Sequence, residues 1–159
     1  MLTQVIINVT FSLCVYLAGA NIVNAATLGV SPVRVTLSDK QKMDTITVRN
    51  DGTEPVSMQL EVLNWSKEDG NDVFTPTREL IVNPPIFTIA AGGSQLLRVG
   101  LRGAPDAKHE LIYRIFLQEL PPPPRPEFNG TKMLMRVSLP VFVLPKIAAK
   151  PVLRWQAVR

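Results

Sequence analysis

The sequence predicts an all-β sandwich, and three observations carry that prediction. Short runs of β-type residues recur about every ten residues, with turn chemistry between them. Prolines number 14 against 9 glycines, a balance that suits strands and tight connections better than helices. No segment keeps an apolar period of roughly 3.6 over about twelve residues, which a packed helix would show. With 159 residues, 46% hydrophobic and 19% charged, the chain has the composition of a folded protein and the length of one domain with some sequence to spare.

The elements follow in order. Residues 1–25 (MLTQVIINVTFSLCVYLAGANIVNA) carry no charged side chain, and Val5 to Ala20 is largely apolar. Val23 and Ala25 form a small-x-small cleavage pattern, so a signal peptide over 1–25 is expected, with Ala26 beginning the exported chain. The Lys or Arg that normally precedes such an apolar core is missing, and only the terminal amine is positive there. The other reading, an uncleaved anchor or a misplaced start, meets an apolar run that is short for a membrane span. GVSPVRVTL (29–37) reads as the first strand and DTITVRN (44–50) as the second, closed by the turn residues NDGTEP (50–55). VSMQLEVLNW (56–65) alternates as a strand, and SKEDGND (66–72) is polar and turn-rich. ELIVNPPIFTIAAGGSQLLRVGLR (79–102) reads as strand, Pro-Pro jog, strand, Gly-Gly turn, strand, and HELIYRIFLQELPPPP (109–124) as a strand ending in prolines. KMLMRVSLPVFVLPK (132–146) is the last strand. The sum is an immunoglobulin-like β-sandwich of about seven strands, following the N-terminal signal segment.

Charge and chemistry exclude several function classes. The net charge of +4 is uneven, because residues 128–159 hold six of the 17 basic side chains and no acid. These bases are spread out and not interleaved with aromatics, so no nucleic-acid partner is expected. The one cysteine, Cys14, falls in the leader, leaving no disulfide or thiol chemistry for the exported chain. A single histidine, His109, cannot build a metal site, and no Gly-x-Ser-x-Gly elbow accompanies it. AAGGSQ (90–95) lacks the context of a phosphate cradle and reads as a turn. The acids of KEDGND do not match a calcium loop. The expectation is a non-enzyme with no cofactor and no metal.

Two features ask for more than a packing role. Arg34 stands in the centre of the first strand, where an arginine is either the solvent-facing member of an alternation or a fixed cationic fork for a carboxylate. In the last strand Met133, Met135, Val137, Leu139, Val141 and Val143 form an apolar face at strand period. Pro140 confines that strand to a sheet edge or a bulge. An apolar edge is an aggregation hazard that most proteins blunt, so pairing with a second copy is expected unless another partner takes it.

SPVRVTL, VRNDGTEPVSMQLEVLNW, NPPIFTIAAGGSQLLRVGLR, YRIFLQELPPPP and MRVSLPVFVLP, in that order, resemble the periplasmic pilus-assembly chaperones of the chaperone–usher pathway, the PapD-like chaperones. The resemblance covers roughly residues 28–146. It implies a chaperone that lends its last strand to a pilin subunit lacking one, then delivers the subunit to an outer-membrane usher. Carried onto this chain, Met133, Met135, Val137 and Leu139 would enter the pilin groove, and Arg34 would bind the pilin's terminal carboxylate in an interdomain cleft. The lysine that the family commonly adds falls on Phe142. The candidates for a second anchor are Arg136, which alternation turns to the opposite face, and Lys146. The Arg136-x-Ser138-x-Pro140 pattern resembles divergent branches of the family, and the short, cysteine-free connector 120–132 resembles chaperones of rod-like pili. The family has two such domains. Residues 26–146 would be the first, and 147–159 a linker and the opening strand of a missing or truncated second. The competing expectations are an exported immunoglobulin-like structural or adhesive domain, or a truncated chaperone fragment without activity.

Overall fold

A computed structural model describes residues 28–124, 131, 133–147 and 155; the expected leader over 1–25 and most of the expected second-domain strand lie outside the described residues. Among the described residues ten strands fall into two sheets. They are β1 (Leu28–Ser31), β2 (Val35–Leu37), β3 (Met43–Asn50), β4 (Val56–Glu68) and β5 (Asn71–Pro76), then β6 (Leu80–Asn83), β7 (Ile86–Ile89), β8 (Ser94–Leu101), β9 (Leu111–Glu119) and β10 (Arg136–Val143). One sheet runs β1-β3-β8-β6. The other runs β2-β10-β9-β4-β5, with β7 also paired to β4. Every pairing is antiparallel except that of β10 with β2.

The strand count exceeds the expected seven or so for two physical reasons. First, the run 29–37 is not one strand. Pro32 has no N–H to give a ladder, and the chain changes sheets there. β1 pairs with β3 in one sheet and β2 with β10 in the other. Second, the polar stretch 66–72 is mostly strand. Only Asp69 and Gly70 form the turn, with φ of 50° and 83°, the positive values that a two-residue hairpin of the favoured hand requires. β4 therefore continues to Glu68, and β5 returns along it.

The core lies between the sheets and follows the alternation of the sequence. Ile46 and Val48 of β3, Leu97 and Val99 of β8, and Ile115 and Leu117 of β9 are fully buried. Tyr113 lies in the same layer and donates its hydroxyl to Glu79 Oε2 at 2.6 Å. Burial, reinforced by that carboxylate, pushes the phenol far above its ordinary range, so the hydroxyl remains a donor.

Asn50 is the main buried polar side chain outside the last-strand region. Its Nδ2 donates to the carbonyls of Glu54, Ile89 and Ala90, while its Oδ1 accepts the Gly52 N–H. It thereby ties the turn after β3 to the turn after β7. Asn50→Ala would strand those backbone groups, and we expect a loss of about 2–3 kcal/mol. Urea unfolding with an unchanged m-value and a lowered midpoint is the result that checks this.

Candidate functional site

The site is built on β10 and the switch between β1 and β2. β10 pairs with β9 along its whole length, but β2 covers it only over Val141–Val143. The hydrogen bonds at its two ends fix which backbone groups face where. The Glu119 N–H donates to the Met135 carbonyl, so the odd residues face β9; the Leu144 N–H donates to the Leu37 carbonyl, so the even residues face the other way. The N–H and C=O groups of Arg136 and Ser138 therefore line an edge that no strand among the described residues pairs. Pro140 closes this stretch: its missing N–H would have pointed off the sheet, so β9 loses no hydrogen bond to it.

Side chains divide the expected donor residues into two groups. Leu139 is 3% exposed and, with Val141 and Val143, belongs to the chain's own core. The expectation that Leu139 enters a partner thus concerns a side chain that in the free chain packs inward, with Ile115 of β9 in register opposite it. Val137 is half-buried against the edge of that core, and Met135 is half-buried. Met133 is 88% exposed. The strand is thus inward-packed at one end and presented at the other.

Arg34 lies one residue before β2, at the sheet switch, rather than mid-strand as expected. It is exposed, and its guanidinium carbon stands 4.3 Å from the centre of the Phe142 ring. That cation–π stack holds one face of the guanidinium and leaves its N–H edge available, because no ion pair to Arg34 exists among the described residues. Phe142, noticed in the sequence only as the position where a lysine was missing, is the surface on which Arg34 rests.

Each second-anchor candidate has surroundings of its own. Arg136 is six residues along β10 from Phe142, about 20 Å at strand rise. Its guanidinium carbon lies 4.5 Å from the Phe116 ring centre, and its Nη2 is 3.5 Å from Glu61 Oε2. Lys146 lies past the strand end, where its N–H donates to the Asp106 carbonyl. Asp106 also accepts the backbone N–H groups of Lys108 and His109, which hold its carboxyl below the ordinary carboxylate range. His109 is an exposed loop residue beside it. Among the described residues no group of three or more His, Cys, Asp or Glu is placed to hold a metal ion.

Sequence reasoning missed Glu119, a 3%-exposed carboxylate at the end of β9. The signal was available in LQELPP: an acid on the same side of the strand as Tyr113, Ile115 and Leu117.

Comparison with known proteins matches this architecture. Residues 27–149 fit the family of pili and flagellar-assembly chaperones, PapD N-terminal domain. The chaperone protein FimB/FhaD of Bordetella pertussis is 27% identical over 131 residues, a match spanning 76% of this chain and 52% of the relative. Among solved structures, the CsuC–CsuE chaperone–tip adhesion subunit pre-assembly complex from the archaic chaperone–usher Csu pili of Acinetobacter baumannii is similar at 26% identity and a TM-score of 0.67, over 76% of this chain and 53% of that one. The E. coli chaperone DraB is also similar at 26% identity and a TM-score of 0.57, over 78% and 58%. This chain spans about half the length of these relatives. It belongs to the family of pili and flagellar-assembly chaperones, and residues 27–149 are its PapD N-terminal domain.

Proposed function

We propose that the chain is a periplasmic chaperone that caps fimbrial subunits by strand addition and passes them to an outer-membrane usher. The observation that carries this reading is the unpaired edge at Arg136 and Ser138, with Met133, Met135 and Val137 beside it and Arg34 at its far end. Strand addition to a sheet edge is the established mode of chaperone–pilin recognition: main-chain hydrogen bonds supply affinity, and alternate side chains entering groove pockets supply specificity. Burying Met133, Met135 and Val137 would contribute about 5–9 kcal/mol before ordering costs. Methionine repacks easily, which suits a chaperone that meets more than one subunit. Arg34, braced on Phe142, takes the subunit's terminal carboxylate as a bidentate fork, without a lysine partner. Export through the leader over 1–25 brings the chain to the compartment where pilus subunits need capping.

The alternative, an exported immunoglobulin-like structural domain, accounts for the burial of Leu139, Val141 and Val143. It gives no reason for Met133 to stand 88% exposed beside an unpaired edge. Co-expression with a fimbrial subunit tests the choice. The expected result is a subunit protected from degradation and recovered with the chain. A subunit degraded as fast as it is alone would overturn the chaperone reading.

A further inference from the structure

The inner row of β9 is occupied by Tyr113, Ile115 and Leu117, all fully buried, and ends in Glu119 at 3% exposure. A carboxylate at a core-facing position is strongly unfavourable unless it is hydrogen-bonded, so its placement calls for a partner. Its Oε2 accepts the Met135 N–H at 3.2 Å. Its own backbone N–H donates to the Met135 carbonyl at 2.8 Å. One residue therefore holds both polar backbone groups of Met135. In a continued ladder the Met135 N–H would donate to the Glu119 carbonyl. Here the side-chain carboxylate accepts that hydrogen bond instead, and the regular strand begins only at Arg136. Met58 of β4 lies in register beside Glu119 and is 1% exposed, closing the opposite flank.

Met135 is the point where the chain stops packing inward and starts to present side chains. We propose that Glu119 is a positioning residue for the strand-addition site: its carboxylate clamps Met135 and so holds Met133 and Met135 in a fixed register before a partner arrives. This inference rests on the chaperone reading for its purpose, though not for its geometry. A segment entering from the connector would otherwise fray, and ordering it on binding would lower affinity. The clamp removes that ordering step.

The test compares Glu119→Ala and Glu119→Gln in the full chain by amide hydrogen exchange and by capture of a co-expressed fimbrial subunit. In Glu119→Ala the Met135 amide is expected to exchange about tenfold faster, while the amides of Leu139 and Val141 keep their protection. Subunit capture falls with it. Glu119→Gln retains an acceptor oxygen and is expected to stay near wild type in both readouts. An unchanged Met135 amide overturns the proposal, as does a parallel rise at Leu139 and Val141, which would mark general loosening. So does a Gln variant as defective as Ala, or normal capture by Glu119→Ala. The exchange arm is read on the free chain, so its failure sinks the clamp alone; a wild-type chain that captures no subunit overturns the chaperone reading and the clamp's purpose with it.

Discussion

Arg34→Ala is expected to weaken capture of a fimbrial subunit by about 30-fold or more while leaving the chain's own stability nearly unchanged. Removing one partner of a hydrogen-bonded charge pair buried in an interface costs at least about 2 kcal/mol, and a bidentate fork to a carboxylate lies toward the strong end. The stability of the free chain is expected to depend little on Arg34, because the side chain is exposed and stacks on the ring of Phe142. Arg34→Lys keeps the charge but loses the fork and the flat face that stacks on the ring, so it is expected to fall between wild type and Ala. Affinity measured by titration with a purified subunit, beside a urea unfolding curve, separates the two effects. An Arg34→Ala chain that binds as tightly as wild type would remove the carboxylate anchor.

The second large effect separates two halves of one strand. Met135→Ser with Val137→Ser is expected to lower subunit capture by about 100-fold, since two apolar side chains no longer fill groove pockets. The chain's own stability should drop by only about 1 kcal/mol, because both residues are half-buried and only Val137 packs against the core, at its margin. Leu139→Ala should do the reverse. Its side chain is inside the sandwich, and truncation there costs about 2–5 kcal/mol of folding stability. If Leu139→Ala left stability intact and abolished capture, the division of β10 proposed above would be wrong.

The alternation of β3, β4, β8 and β9 was legible in the sequence because one face of each strand meets the core, and period two is the direct image of that. Alternation alone could not say where a strand changes partners. Residues 29–37 read as one β-type run across Pro32, yet the two ends belong to different sheets. The same limit applies to β10. Its odd residues are uniformly apolar from Met133 to Val143, so the sequence pattern cannot separate Leu139, in the chain's own core, from Met133, in solvent. That boundary depends on how far the opposing sheet reaches. Arg34 was identifiable by residue type, but its support was not: the arrival of Phe142 beneath it depends on a parallel pairing between strands more than a hundred residues apart. Glu119 was visible as an acid at an inward position, but its target comes from the far side of the proline-rich connector.

Pairing of a partner's strand with the open edge of β10 is read out at the amides of Arg136 and Ser138 by hydrogen exchange. Both N–H groups point away from β9, and among the described residues no strand receives them. Fast exchange is expected at these two amides in the free chain and strong protection once a fimbrial subunit is bound, with the Leu139 and Val141 amides protected throughout. Continued fast exchange at Arg136 and Ser138 in a chain saturated with subunit would contradict strand addition at this edge.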